Sequence, residues 1–214
     1  PGNPRRRDRA HEVVITLYWC PRTRASRVLW MLEELGEPFE VRLADVRAPD
    51  SLDDDFHLAS PMGKVPALLD DAPNGAVKMA DSAPICLYLA DRYAPGRLAP
   101  AADDPLRGRF LFWMFFTPGA IEPAMMEKFI GFEVDPGSCG WGNYQKMLDT
   151  LAAGVAEGPW IMGDRFTAAD VLLGSSVFFM KQFGLLGDGS ALDAYLLRCQ
   201  ERPAYQAAMS REGD

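Results

Sequence analysis

The sequence predicts an α/β domain followed by an all-helical domain. Three observations carry that prediction. Over roughly the first 80 residues after the N-terminal tail, the apolar pattern runs strand, helix, strand and then strand, strand, helix. A segment rich in proline and glycine, Ala94-Pro95-Gly96-Arg97-Leu98-Ala99-Pro100, follows as a linker. Beyond it the periodicity is helical and no convincing strand remains. The expected division is a disordered tail at 1–11, the α/β domain at 12–94, a linker at 95–103 and the helical domain at 104–214.

Residues 13–19 are β-formers and nearly all apolar, which suits a strand buried on both faces. Cys20-Pro21-Arg22-Thr23 reads as a loop. A helix then runs to about residue 35, with Val28, Met31, Leu32 and Leu35 on one face, and Gly36 ends it. Phe39, Val41 and Leu43 alternate with Glu40 and Arg42 to give a second strand. Strand, helix and strand with short loops imply a parallel pair and a right-handed crossover. The acidic residues 50–55 read as a solvated irregular region or a short helix. A third strand is expected at 65–70, a turn at Pro73-Asn74-Gly75, and a short antiparallel partner at 76–79. Ser82 offers an N-cap, Pro84 is tolerated in the first turn, and Ile85, Tyr88 and Leu89 line the inner face of that helix.

In the second half, Asp104 is expected to cap a helix with Pro105 at its first position, running through 109–116. Pro118-Gly119 and Pro123 should disturb or break it. A further helix at 143–157 places Leu148, Leu151 and Val155 on one face. Residues 167–183 form a nearly all-apolar and therefore central helix. Helices at 191–202 and 203–211 close the chain.

Composition narrows the function. The chain has 214 residues, 48% of them hydrophobic, enough for a core without disulfide staples. With 22 Lys and Arg against 30 Asp and Glu, the net charge is −8, which argues against a nucleic-acid footprint. Arg5, Arg6, Arg7 and Arg9 form a basic cluster in the tail, to which no role is assigned. Cys20, Cys86, Cys139 and Cys199 have no metal-ligand spacing, so no metal is expected; Cys86 and Cys199 read as small buried hydrophobes. This usage suits a reducing compartment. The apolar run after the basic tail is short and lacks a small-residue cleavage site, so a signal peptide is not expected. The longest unbroken apolar run, 110–116, is too short to span a bilayer. A cytoplasmic protein without membrane partners is the expectation. His11 and His57 are too isolated to serve as ligands or bases.

One stretch, Ser60-Pro61-Met62-Gly63-Lys64-Val65-Pro66-Ala67-Leu68-Leu69, stands apart. Pro66 has no N–H for a sheet ladder and pushes Val65 toward an extended conformation. Gly63 permits a sharp approach just before it. The reading is a tight turn, compatible with a cis peptide bond, that enters a strand and leaves the N–H and C=O of Val65 aimed outward. An extended peptide-like ligand pairs with such a backbone as an added strand. The plain alternative is an ordinary entry into a strand.

Four stretches together resemble the cytosolic glutathione transferases, in particular bacterial members. Arg27-Val28-Leu29-Trp30-Met31-Leu32-Glu33-Glu34-Leu35-Gly36 is similar to the family's first helix, and Gly63-Lys64-Val65-Pro66-Ala67-Leu68 to its cis-proline strand. Asp81-Ser82-Ala83-Pro84-Ile85-Cys86-Leu87-Tyr88-Leu89 resembles its glutathione motif, and Phe166-Thr167-Ala168-Ala169-Asp170 the capping box of its central helix. The resemblance spans roughly residues 12–210. It implies a thioredoxin-like first domain, glutathione as co-substrate, an apolar electrophile as second substrate, a role in detoxification, and a homodimer.

Glutathione is an acidic tripeptide with a thiol. A site for it needs a backbone partner, an anion hole and a thiolate stabiliser. Val65, before Pro66, supplies the first. The Ser82 hydroxyl and the helix-terminal N–H groups suit the γ-glutamyl carboxylate. Asp81 accepts from the ligand's ammonium group, and Lys64 pairs with the glycyl carboxylate. A free thiol has a pKa near 8.5, and lowering it by about two units takes ~2.7 kcal/mol of preferential thiolate stabilisation. The loop after the first strand offers Cys20, Thr23 and, less well, Tyr18. Thr23-Arg24 stands where several members carry Ser-Arg, so Thr23 is the first candidate donor and Arg24 adds positive potential. Cys20-Pro21 is similar to members that use a cysteine for glutathione-dependent reduction, although Cys20 lies about two residues early for that role. Three readings stay open here: conjugation, thiol-disulfide reduction through Cys20, and a non-catalytic binding module. Trp19, Phe112, Trp113, Phe116, Met125 and Met126 are expected to wall the electrophile pocket, against the ordinary reading that such stripes are core.

Overall fold

The structure is a computed structural model that describes residues 15–48, 52–72 and 75–211. The expected tail with its arginine cluster and His11, the start of the first strand, Asp50 of the acidic segment, and Pro73 and Asn74 of the turn lie outside the described residues.

Four strands form one sheet in the order β2-β1-β3-β4. Strand β1 (Ile15–Trp19) is buried along its whole length and pairs in parallel with β2 (Phe39–Leu43). On its other side β1 runs antiparallel to β3 (Ala67–Ala72), which pairs antiparallel with β4 (Gly75–Ala80). The period of two sorts the two faces. Ile15, Leu17, Trp19 and Leu68 point into the main core, while Tyr18, Ala67 and Leu69 meet Phe56 and Ala59 of the short helix α2 (Asp54–Ala59) in a second one. β2 is an edge strand, and its alternation is incomplete: Phe39 and Val41 are half-buried, but Leu43 is 71% exposed, with nothing among the described residues packed over it.

Helix α1 (Ala25–Leu35) follows β1 and ends at Gly36, whose φ of 74° is the left-handed cap the sequence calls for. Its residues from Ala25 to Leu32 are all buried, because α1 lies between the sheet on one side and later helices on the other. Helix α3 (Ser82–Tyr93) packs beside it. Here one expectation needs correcting. Asp81, not Ser82, occupies the N-cap position, and Ser82 is the first helical residue.

After the linker every element among the described residues is helical. Helix α4 (Arg107–Phe116) begins later than expected, because Asp104 Oδ1 accepts from the Leu106 N–H and holds a turn rather than capping the helix. The prolines do not break the chain's helical course. A π-helical turn (Thr117–Ile121) absorbs Pro118, with the Glu122 N–H reaching back to the Thr117 carbonyl, and α5 (Glu122–Ile130) continues from it. Helix α6 (Tyr144–Ala156) is capped by Asn143. Helix α7 (Ala168–Gln182) carries the expected capping box of Thr167 and Asp170 and packs on α1, α3 and α4. Helices α8 (Ala191–Gln200) and α9 (Pro203–Ser210) follow, with α9 lying along α1. Among the described residues, no helix is long and apolar enough to cross a membrane.

Candidate active site

The loop before β3 is built by Ser60. Its buried hydroxyl accepts from the Lys64 N–H at 2.8 Å and donates to the Lys64 carbonyl at 2.7 Å, while Gly63, at φ 62°, bonds back to the Ser60 carbonyl. The Val65–Pro66 peptide bond is cis, and the Pro66 carbonyl accepts from the Asp81 N–H at 3.3 Å. The neighbours' backbone groups are thus occupied, and the N–H and C=O of Val65 have no partner among the described residues. Asp81 holds a φ of 75°, rare for a residue with a side chain, and its carboxylate caps nothing. Lys64 is exposed. Ser82 is buried at 2% exposure, and its Oγ accepts from Arg27 Nη1 at 3.2 Å.

Arg27 connects this corner to a second one. It is almost wholly buried in α1; Nη1 donates to Glu122 Oε1 at 2.6 Å, and Nη2 to Ser176 Oγ at 3.3 Å. Its Nε is buried and has no partner among the described residues. The guanidinium stands over the Phe179 ring at 5.7 Å. Burial alone raises the Glu122 carboxyl, but Arg27 and Arg24 outweigh it and hold Glu122 below the usual carboxylate range.

The loop between β1 and α1 closes on itself. Thr23 Oγ1 donates to the Cys20 carbonyl at 2.7 Å and accepts from the Ala25 N–H at 3.2 Å. Arg24 Nε donates to Glu122 Oε1 at 2.8 Å. Arg22 lies at φ 57°, again in the left-handed region.

Beside this loop, α5 and α7 leave a cleft of about 300 Å³. Arg22, Thr23, Arg24, Arg27 and Glu122 form its polar end. Met125, Met126 and Phe129 from α5 face Phe179, Phe183 and Leu185 across its apolar part. Phe129 and Phe183 are 70% and 57% exposed, large apolar surface left at the mouth.

The predicted residues divide accordingly. Val65, Pro66, Asp81 and Ser82 come together at the start of α3, with Lys64 exposed beside them; Thr23 and Arg24 meet at the start of α1 and line the cleft. Cys20 is half-buried and does not line it. Of the expected pocket walls, Met125 and Met126 line the cleft; Trp19, Phe112, Trp113 and Phe116 do not. Trp19, Trp113 and Phe116 belong to the core, where the Trp113 ring lies against Gly154 of α6, and Phe112 is a half-exposed ring edge-on to Trp113. Sequence reasoning missed Arg22, Arg27, Glu122, Phe129, Phe179 and Phe183. The spacing of Phe179 and Phe183, four residues apart at the end of a central helix, was the available signal for the last pair.

Residues 19–92 match the family model for the N-terminal domain of glutathione S-transferases. Glutathione S-transferase 3 of Schizosaccharomyces pombe is 31% identical over 113 residues, 51% of this chain and 43% of that protein, so the chain spans under half the length of this relative. The disulfide-bond oxidoreductase YfcG of Escherichia coli is 22% identical, over 74% of this chain and 76% of that one. Among solved structures, a glutathione transferase from Methylococcus capsulatus is 30% identical with a TM-score of 0.77, covering 94% of this chain and 99% of its own. A glutathione transferase family member from Pseudomonas fluorescens, solved with two glutathione bound, is 27% identical with a TM-score of 0.73, covering 92% of each chain.

Proposed function

The chain belongs to the glutathione transferase family, and from that premise we propose that it is a glutathione S-transferase, joining the glutathione thiolate to an apolar electrophile. The observation that carries the reading is a chain of contacts. The unpartnered backbone of Val65 and the start of α3 at Ser82 are linked through Arg27 to the cleft that Thr23 lines. The tripeptide pairs with Val65 by its main chain. Its γ-glutamyl carboxylate takes Ser82 and the N–H groups of α3, its ammonium takes Asp81, and its glycyl carboxylate takes Lys64. The sulfur then points to Thr23.

Thr23 donates to the thiolate by turning its hydroxyl proton away from the Cys20 carbonyl, with the oxygen unmoved. A neutral hydrogen bond contributes about 0.5–1.5 kcal/mol and one to a charged group about 1.5–3, so the exchange favours thiolate by roughly 1–1.5 kcal/mol. That is about one pKa unit of the two required. The positive end of α1 and the Arg24 guanidinium supply the remainder. Glutathione loses its thiol proton to solvent, the sulfur forms the new bond to carbon, and the leaving group departs with its electron pair.

A thiol-disulfide reductase working through Cys20 is the second reading, supported by the oxidoreductase among the relatives. The position of Cys20 outside the cleft lining favours conjugation. The test is glutathione-dependent turnover of chlorodinitrobenzene by the parent and by Cys20→Ser. Conjugation predicts near-equal rates. A glutathione adduct on Cys20, with disulfide reduction abolished in Cys20→Ser, would establish the reductase instead. A binding module would bind glutathione and turn over neither substrate. We take the working unit to be a cytoplasmic homodimer formed between the sheet-bearing half of one chain and the helical half of the other, to be checked by sedimentation.

A further inference from the structure

One face of α7, beside the cleft, carries an inference about the second substrate. Ser175, Phe178, Phe179 and Gln182 follow the i, i+3, i+4, i+7 spacing, so they share one stripe of the helix. That stripe borders a hollow of about 80 Å³, which Arg22, Ser26 and Tyr205 close from the loop before α1, from α1 and from α9. The hollow adjoins the cleft, because Arg22 and Phe179 border both.

The polar groups around the hollow are of two kinds. Arg22, Ser26 and Tyr205 are engaged with partners of their own, and the Ser26 hydroxyl also donates to the Thr23 carbonyl at 2.9 Å. The side chains of Ser175 and Gln182 have no hydrogen-bond partner among the described residues. Gln182 is exposed at the mouth, where water serves it. Ser175 is different, because it is buried at 8% exposure. Its neighbour shows what a serine inside a helix commonly does: Ser176 Oγ donates to the Leu172 carbonyl one turn back, at 2.8 Å. Ser175 makes no such bond and lines the hollow instead. A buried hydroxyl without a partner is destabilising, and a ligand group that reaches it removes that penalty.

We propose that the hollow is a subsite for the second substrate, and that the electrophile is an aromatic molecule with a short arm ending in a neutral polar group, a carboxamide or a hydroxyl. The ring lies in the cleft on Phe179 and the methionines of α5. The arm passes Phe179 and sets its end against Ser175, with Gln182 at the mouth. This rests on the transferase reading above. In that reading glutathione occupies the start of α3 and its sulfur faces Thr23, so the tripeptide leaves the hollow open. The neutral end follows from the two side chains that remain unmatched. A hydroxyl and a carboxamide each donate and accept, and they suit a ligand group that does both. A charged end would enter a place whose one charged side chain among the described residues, Arg22, is already engaged. Its desolvation would go uncompensated. A wholly apolar arm would leave Ser175 buried and unmatched.

The probes are two amides of chloronitrobenzoic acid. One carries a carbamoylethyl arm on its nitrogen and the other an isopentyl arm, nearly equal in shape and different in polarity. In each, the glutathione sulfur bonds to the ring carbon and chloride leaves with the bonding pair. The readout is kcat/KM divided by the uncatalysed rate constant of the same probe, taken as the ratio of carbamoylethyl to isopentyl on one protein. The parent should favour the carbamoylethyl probe by about fivefold or more, the scale of a neutral hydrogen bond. The ratio should fall toward one in Ser175→Ala and below one in Ser175→Ala/Gln182→Leu, where an apolar arm fits better. A ratio at or below one in a parent that turns over chlorodinitrobenzene overturns the inference and leaves the transferase reading standing. A ratio unchanged in Ser175→Ala also overturns it, as does a parent that prefers a carboxyethyl arm to the carbamoylethyl one. Glutathione binding with no probe turned over sinks both readings together.

Discussion

In the proposed mechanism Thr23 Oγ1 keeps the hydrogen bond from the Ala25 N–H while its proton changes acceptor, and that makes the proposal testable at this residue. Thr23→Val keeps the shape and removes the proton. It should raise the thiol pKa of bound glutathione by about one unit and slow conjugation up to about tenfold at neutral pH. The loss should shrink at higher pH, where thiolate forms unaided. Titrating the thiolate's ultraviolet absorbance in parent and variant checks this, and equal titration curves would remove Thr23 from the mechanism. Ser82→Ala should weaken glutathione by roughly 1.5–3 kcal/mol, the scale of a hydrogen bond to a charged group. Calorimetry reads it, and unchanged affinity would move the carboxylate site elsewhere. What the sequence discloses for both is position, a helix start that local patterning marks; the partner of Ser82, Arg27, lies 55 residues away. Arg27 itself is not legible. An arginine in an apolar helical run reads as a solvated residue, and the carboxylate that lets it be buried lies 95 residues away at Glu122. Trp113 fails for the converse reason: an aromatic stripe announces burial but not whether a ligand or Gly154 will meet it.

At the scale of elements, the start of α7 shows how far a local motif reaches. The sequence gives away the capping box, Thr167 with Asp170, because both partners lie within one turn. It does not disclose that Asp170 also accepts from the Ile161 N–H at 2.8 Å and the Tyr195 hydroxyl at 2.9 Å, which come from a loop and from α8. Asp170→Ala therefore strands several buried donors and should lower stability by roughly 3 kcal/mol or more, above the ~1 kcal/mol of a lost cap. Its pH dependence has a definite sign. Burial lifts the Asp170 carboxyl to about 6, against the pull of the surrounding donors. The folded state thus holds the proton more tightly than the unfolded chain, whose aspartate titrates near 4. Between pH of about 6 and about 4 this group adds stability as pH falls, and outside that window its contribution is flat. Comparing denaturation midpoints of the parent and Asp170→Asn at neutral pH and near pH 4 isolates the effect. The parent's advantage should grow on acidification; a shrinking advantage would contradict the burial argument. The π-helical turn illustrates the opposite limit. Pro118 predicts a disturbance in the helix, yet whether the helix breaks or widens depends on Ser176 and the rest of α7 packed against it.

At the scale of the whole molecule, helix α7 touches both the sheet-bearing half, through α1 and α3, and the helical half, through α4 and α8. Its sequence is so uniformly apolar that no stripe announces which face meets which neighbour, so the placement of α1 against α7 is the least legible part of the fold. One small residue makes the crossing possible. A Cβ added at Gly174 would stand 2.7 Å from Cys199 Sγ on α8 and 3.2 Å from the Trp30 ring on α1. Both partners are fully buried, and Trp30 is further held by Tyr205 of α9, edge-on at 5.0 Å, so neither has room to retreat. Gly174→Ala should therefore lower stability by about 1–3 kcal/mol, the usual range for overpacking, although alanine is the better helix former. Because the closest atom is a sulfur, Cys199→Ala should tolerate the new methyl, and the double variant Gly174→Ala/Cys199→Ala should be more stable than Gly174→Ala alone. Trp30 lies one turn beyond Arg27 on α1, and Arg27 reaches Ser176 on α7 at only 3.3 Å. A push between the two helices at Gly174 should thus reach the cleft as well, raising KM for the electrophile in the single variant and relaxing it in the double. Denaturation midpoints and electrophile KM measured on the parent, both single variants and the double variant close the cycle. Additive stabilities with an unchanged KM would mean that α7 does not transmit packing from the α1–α8 crossing to the site.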